Sequence, residues 1–354
     1  MPTRVPLLVL GLTAACASAR PPRTTAVDAT ALAHDHERRG AFAAGREVLT
    51  AAVDRARGAR QPVARLTAEL ARVWSHETFA RNRGYAEGVS VARAAQAAAR
   101  SERDPRALAI ALDAEGMLHY GTLVWAGASD YSVPRRHFAA AVDAFRTADD
   151  QGGLAEATFH VGLSFEQAGD AATAAQHYTA AQALADQAGD LVVASYTERH
   201  LAGIAEERGD LRAARRGFER SLTLRERTGY LRLVPYAMMA IASLDLHAGE
   251  TARALASYRR ALVMAERIGN EAMLLWAHVG VGEALEKLDD LTGARAHFER
   301  ALAIAETASI SIAIVAAARS AASVVETLGD PAGAQAFRDR ATRAELAGKH
   351  VSLL

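Results

Sequence analysis

Histidines, clustered glutamates and a lone cysteine are the residues that could do chemistry in this 354-residue chain. Twelve histidines invite a metal centre. His34 and His36 stand two apart, so on a helix they point to different sides, and no HExxH pair is present. His160 and His200 lie 40 residues apart, as do His137 and His177, with His297 a whole number of such steps further on. Each set shares one slot in different units, too far apart to share an ion, and no metal is expected. Gly280–Leu285, "GVGEAL", is half of a dinucleotide-binding GxGxxG, but it falls inside a helical pattern with no strand before it. Neither a P-loop nor GxSxG occurs. The best acid–base set, Glu283 with Glu286 and Lys287, reads more simply as a charged helix end. Cys16 is the single cysteine, which excludes an intramolecular disulfide, and it sits in an apolar leader, away from the body of the chain. The expectation is a protein without catalytic residues, metal or cofactor; an enzyme with a groove active site stays only as an alternative.

What positions these residues is a repeat. "EQAGDAATAAQHYTAA" at 166–181 returns altered at 206, 246, 286 and 326, each time after 40 residues. Its glycine column is Gly169, Gly209, Gly249, Asp289 and Gly329, followed by Asp170, Asp210, Glu250, Asp290 and Asp330. Glycine suits the left-handed residue that ends a helix, and aspartate is a preferred cap for the next. Pro331 then falls at a first helical position, where proline costs least. Past each cap come a small residue (Ala174, Ala214, Ala254, Ala294, Ala334), an aromatic (Tyr178, Phe218, Tyr258, Phe298, with Phe337 shifted by one) and another small residue (Ala181, Ser221, Ala261, Ala301, Ala341). Steps of four, four and three keep one face of a helix. A small column upstream, Gly162, Ala202, Ala242, Gly282 and Ala322, lets a neighbouring helix approach. A second junction recurs at Gly189, Gly229, Gly269 and Ser309. Each unit is thus two helices that cannot hide their apolar stripes alone, so units must stack.

The pattern extends backward through Asp130, Phe138 and Ala141, then Gly88, Ala92 and Ala95, then Gly45, Leu49 and Ala52. Residues 125–134, "WAGASDYSVP", depart most from it and suggest a longer loop. The expected fold is all-α, a right-handed solenoid of about eight antiparallel helix pairs over 28–347, with 348–354 as a tail.

The columns resemble the tetratricopeptide repeat, which carries small, aromatic and glycine residues at these internal positions. The family's usual period is 34 residues; the extra six lengthen the helices, as in the kinesin light chain and in helical sensor domains of some bacterial transcription activators. The usual tryptophan at the fourth position is absent. The resemblance implies that the first helix of each pair lines a concave groove. It places Glu156, Tyr196, Tyr236, Trp276 and Ala316 in one groove-facing column, Phe159, Arg199, Met239, Val279 and Arg319 in a second, and Glu166, Glu206, Leu246, Glu286 and Glu326 in a third. Tyr196, Tyr236 and Trp276 are candidate binding anchors, since such rings dominate hot spots, or else they pack between neighbouring first helices. Four glutamates at helix ends, where the macrodipole disfavours acids, suit a non-local role such as attracting a basic segment, or else are solvated. Arg220, Arg260, Arg300 and Arg340 read as a solvated outer face.

The chain starts "MPTRVPLLVLGLTAAC". Val5 to Ala15 is apolar, too short to span a bilayer and of the length of a signal-peptide core. With Ala14 and Ala15 before Cys16 it resembles a bacterial lipoprotein signal, which implies residues 1–15 as signal peptide and lipidation at Cys16. A plain secretory signal cut at Ala17–Ala19, or a chance match, are the alternatives. Residues 16–27 are proline-rich and polar enough to read as a tether. Balanced charge, 41 basic and 41 acidic residues, argues against nucleic acid as partner. The expected function is an envelope-anchored scaffold for protein or peptide partners, in membrane contact only through its lipid. The alternative is an intracellular sensor module. "GKHVSLL" follows the last helix with no capping helix evident, which suggests self-association, or a docking partner, at that end.

Overall fold

The computed structural model describes residues 25–349, 351 and 353. The leader, Cys16 and the tether up to residue 24 lie outside them. Among the described residues there are sixteen α-helices and no strand. They pair as α1 (Ala26–Arg38) with α2 (Phe42–Gly58), α3 (Ala64–Arg81) with α4 (Tyr85–Glu102), and α5 (Pro105–Ala126) with α6 (Ser132–Thr147). Then come α7 (Gln151–Glu166) with α8 (Ala171–Ala188), α9 (Leu191–Glu207) with α10 (Leu211–Arg227), and α11 (Val234–His247) with α12 (Thr251–Ile268). The last are α13 (Glu271–Lys287) with α14 (Leu291–Thr307), and α15 (Ser311–Thr327) with α16 (Pro331–Gly348). Each pair stacks on the next.

The junctions form for the reasons their residues dictate. Gly169, Gly209, Gly249 and Gly329 adopt φ between 81° and 85°, and Asp289 takes the same left-handed region at 64°. Asp170, Asp210, Asp290 and Asp330 each accept the backbone N–H three residues on, at 2.8–3.0 Å. Glu250 makes no such cap bond. The aromatic column forms the seams: Phe138, Tyr178 and Phe298 are fully buried, and a Cβ on Gly162 or Gly282 would stand only 2.6 Å or 2.5 Å from the facing ring. At residues 125–134 the structure differs from expectation. Instead of a long loop, α5 itself extends to 22 residues, and only 127–131 connect it to α6. An apolar run, "GTLVWA", continues the helix until Gly127 ends it in the left-handed region.

The stack coils far enough to meet itself. α13 and α15 pack back against α3 and α5. The Asn82 side chain donates to the carbonyls of Ala308 at 2.9 Å and Ser309 at 3.1 Å, and Arg83 pairs with Glu271 at 2.9 Å. Tyr230 donates to buried Glu37 at 2.8 Å. At the C-terminal end α16 touches α5, and Leu353 packs on the main core, so this part of the end is covered within the chain. The first helices of the later seven pairs, α3 to α15, line a shared hollow.

Candidate ligand-binding cavity

The inner helices are buried on far more of their surface than the outer ones: sixteen residues of α5 are buried against four of α8. What they leave between them is a cavity of about 300 Å³, walled by α3, α5, α7, α9, α11, α13 and α15, and by the end of α10 with the 3₁₀ turn Leu231–Leu233. Phe79, Tyr120, Trp125, Phe159, Tyr196 and Trp276 supply rings. His76, Glu156, His160, Glu166, Arg199, His200, Arg225 and Arg232 supply charge and hydrogen bonding. A second hollow of about 430 Å³ shares Glu166, Arg199, Tyr236 and Trp276 and continues past Glu206, Met239, Val279 and Glu283. Clefts of this size that combine apolar walls with a few polar groups are the usual form of a ligand site.

The polar groups are set by their neighbours. Glu166 accepts from His200 Nδ1 at 2.7 Å and from the Tyr178 hydroxyl. Burial opposes its charge, but His200, Tyr178 and Arg199 together hold it at about 2. His160 pairs with Asp113 at 2.8 Å; burial disfavours its charged form, yet Asp113 outweighs this and keeps it above its ordinary value. Each of these histidines therefore has its own carboxylate. Arg199 lies over the Tyr236 ring at 4.4 Å, and Arg232 is held by Tyr230 at 3.0 Å and Glu37 at 3.6 Å. The arrangement offers shape, aromatic faces and charge, the means of recognition.

Of the residues singled out from sequence, Tyr236, Trp276, Arg199 and Glu166 meet at the cavity wall, and Glu206 lines its extension. Tyr196 lines the cavity but is buried, packed between Phe159 at 5.4 Å and Tyr230 at 6.2 Å. Arg319 pairs with Glu345, and Glu326 with Arg338, on the exposed end of the stack; neither these nor Glu286 lies on either hollow. The outer arginines behave as a surface row, Arg220 reaching Glu198 at 3.0 Å. Sequence reasoning missed Arg225 and Arg232. For Arg225 a signal was available: the same slot in the adjacent units holds buried Ala185 and Ala265. It also missed that Glu115 and His119, four apart on α5, meet His137 of α6 in one group that could hold a metal ion. There Arg93 donates to Glu115 at 2.8 Å and Gln96 to its other oxygen, so the carboxylate already has its partners. Among the described residues no helix is long and apolar enough to cross a membrane.

Comparisons place the architecture. No curated protein matches the sequence. A Rap protein solved with competence and sporulation factor is similar over 86% of this chain and 80% of its own, at 13% identity and TM-score 0.63. The Rap conjugation gene regulator of plasmid pLS20, solved with the Phr* peptide, covers 80% and 75%, at 15% identity and 0.62. The apo quorum sensor NprR of B. thuringiensis covers 90% and 87%, at 11% and 0.60. At these identities the likeness is one of fold. Residues 234–307, which span α11 to α14, match the tetratricopeptide repeat, and the whole is a tetratricopeptide-like helical solenoid.

Proposed function

We propose that this chain is a non-enzymatic recognition protein that takes a peptide segment, free or part of a protein partner, into the hollow of its closed solenoid. The observation that carries this reading is the inner cavity itself, where the Tyr236 and Trp276 rings stand beside Arg199 and Glu166. The fold shared with proteins solved with a sporulation factor and with the Phr* peptide supports it. Selection of a displayed random-hexapeptide library on the full chain tests it. Wild type should enrich a sequence consensus, and Tyr236→Ala with Trp276→Ala should lose that consensus while keeping its helical circular dichroism. A wild-type protein that enriches nothing would sink the proposal.

The resemblance of residues 1–16 to a lipoprotein signal supports a second element: the recognition body hangs from a membrane through a lipid on Cys16. Comparing acyl-chain labelling and membrane fractionation of wild type and Cys16→Ser tests this. Label that survives the substitution refutes it, and the alternative of an intracellular sensor then stands.

A further inference from the structure

We propose that the cavity recognises its ligand through a carboxylate seated between Arg199 and Arg225, with the ligand's apolar part against Phe159 and Trp276. This rests on the reading of the cavity as the binding site and specifies its chemistry.

Each guanidinium stands between adjacent units that are apolar at its slot. At intervals of 40 residues the slot of Arg225 holds buried Ala185, Ala265 and Ala305, and in the last unit the partly exposed Glu345. The slot of Arg199 holds Phe159, Met239 and Val279, and in the last unit Arg319, which pairs with Glu345 away from the cavity. Both arginines face the cavity. Arg225 is 3% exposed; it donates to the Leu233 carbonyl at 2.8 Å, and its Nε has no partner. Arg199 contacts His200 Nε2 at 3.2 Å, and its Nε is likewise without a partner. Among the described residues neither forms an ion pair, whereas Arg232 beside them is compensated by Glu37.

A buried cation without a counter-charge is costly, and folded chains seldom keep one unless something supplies the charge. Of the acids on the wall only Glu166 feels the charge of Arg199, and none pairs with Arg225. Glu166 is engaged by His200 and Tyr178. Glu156 makes no ion pair, and burial holds its carboxyl up at about 7. The effect on Arg225 is visible: burial first, then the charge of Arg199, pulls its guanidinium down to about 9. A planar carboxylate matches the guanidinium fork, and the apolar walls favour a ligand whose remainder is hydrophobic. The carboxylate can come from a small organic acid or from the end of a short peptide.

The test incubates the full chain with a mixed-sequence pool of N-acetyl tripeptides bearing free carboxyl ends. The same pool as carboxamides is run alongside, and octanoate and 3-phenylpropanoate against their amides. Retained species are counted by mass spectrometry after ultrafiltration. Free acids should be retained at least about tenfold over amides, and whether peptides or simple acids dominate identifies the source. Arg225→Gln and, separately, Arg199→Gln should bring the acid-to-amide ratio near one. Arg199 is the more exposed of the two, so its variant serves if Arg225→Gln loses helicity. Equal retention of acids and amides by wild type, or an acid preference that survives both substitutions, overturns the proposal and leaves the cavity reading in place. No retention of either form overturns both.

Discussion

Glu156 shows what the cavity does to a single group. Burial raises its carboxyl to about 7; His160 and Arg72 pull against this, and Asp113 and Asp190 add to it. Because the folded value lies above the unfolded one, near 4.5, folding takes up a proton between these limits. The stability linked to this group is fully present below about pH 4.5 and is lost as pH rises through 7. Glu156→Gln should therefore gain on wild type by on the order of 3 kcal/mol between pH 4 and pH 8. Urea midpoints of both proteins across that range check it; parallel curves would show an ordinary carboxyl. Much of the site's residue list could be read from the repeat slots, which put Tyr236, Trp276, Arg199 and Glu166 on the inner face. Arg319, Glu286 and Glu326 occupy equivalent slots and still miss the hollow. A one-dimensional repeat says which face a residue takes but not how far the stack coils, and coiling decides which pairs enclose space.

For the helix pair as a unit, the repeat columns translate almost directly into contacts, because each column is a packing constraint. Gly162 is small because Tyr178 lies on it. Gly162→Ala should thus cost about 1–3 kcal/mol through overpacking. Gly203 of α9 has nothing within 4 Å of where its Cβ would be, so Gly203→Ala should gain up to about 1 kcal/mol of helix propensity. Urea midpoints moving in opposite directions confirm the assignment; a loss at both would mean that α9 has less room than its surroundings show. The caps make a similar pair. Asp290 bonds the Gly293 N–H at 2.9 Å, and Asp290→Ala should cost about 1 kcal/mol. Glu250 makes no cap bond, and Glu250→Asp should recover a few tenths of a kcal/mol or more by supplying one. Where the element reading failed, at 125–134, the cause was local: Gly121 stays helical and Gly127 is the first residue of the run to turn left-handed, and the buried Trp125, donating to the Phe79 carbonyl at 3.0 Å, holds the extra turn in place.

The closure of the whole molecule has no counterpart in the repeat pattern, since it joins residues roughly 190 to 230 positions apart. In an open solenoid each unit touches only its neighbours, and stability is a sum of local terms. Here Asn82 ties α3 to the turn before α15, and Arg83 ties it to Glu271 at the start of α13. Asn82 itself sits at φ 50°, a left-handed conformation that glycine adopts freely. Asn82→Gly with Arg83→Ala therefore deletes both ties without straining the end of α3. If these ties hold the ring shut, the variant should keep its helical content but show a larger radius of gyration by X-ray scattering. Amide exchange should quicken in α3, α5, α13 and α15 and leave α7 to α10 unchanged. The cavity should lose definition with it, so any peptide consensus that wild type enriches should weaken although no residue of its wall has been altered. An unchanged radius and exchange pattern would place the closure in the apolar contacts of α15 with α5 instead, and cavity-wall substitutions alone would then govern binding.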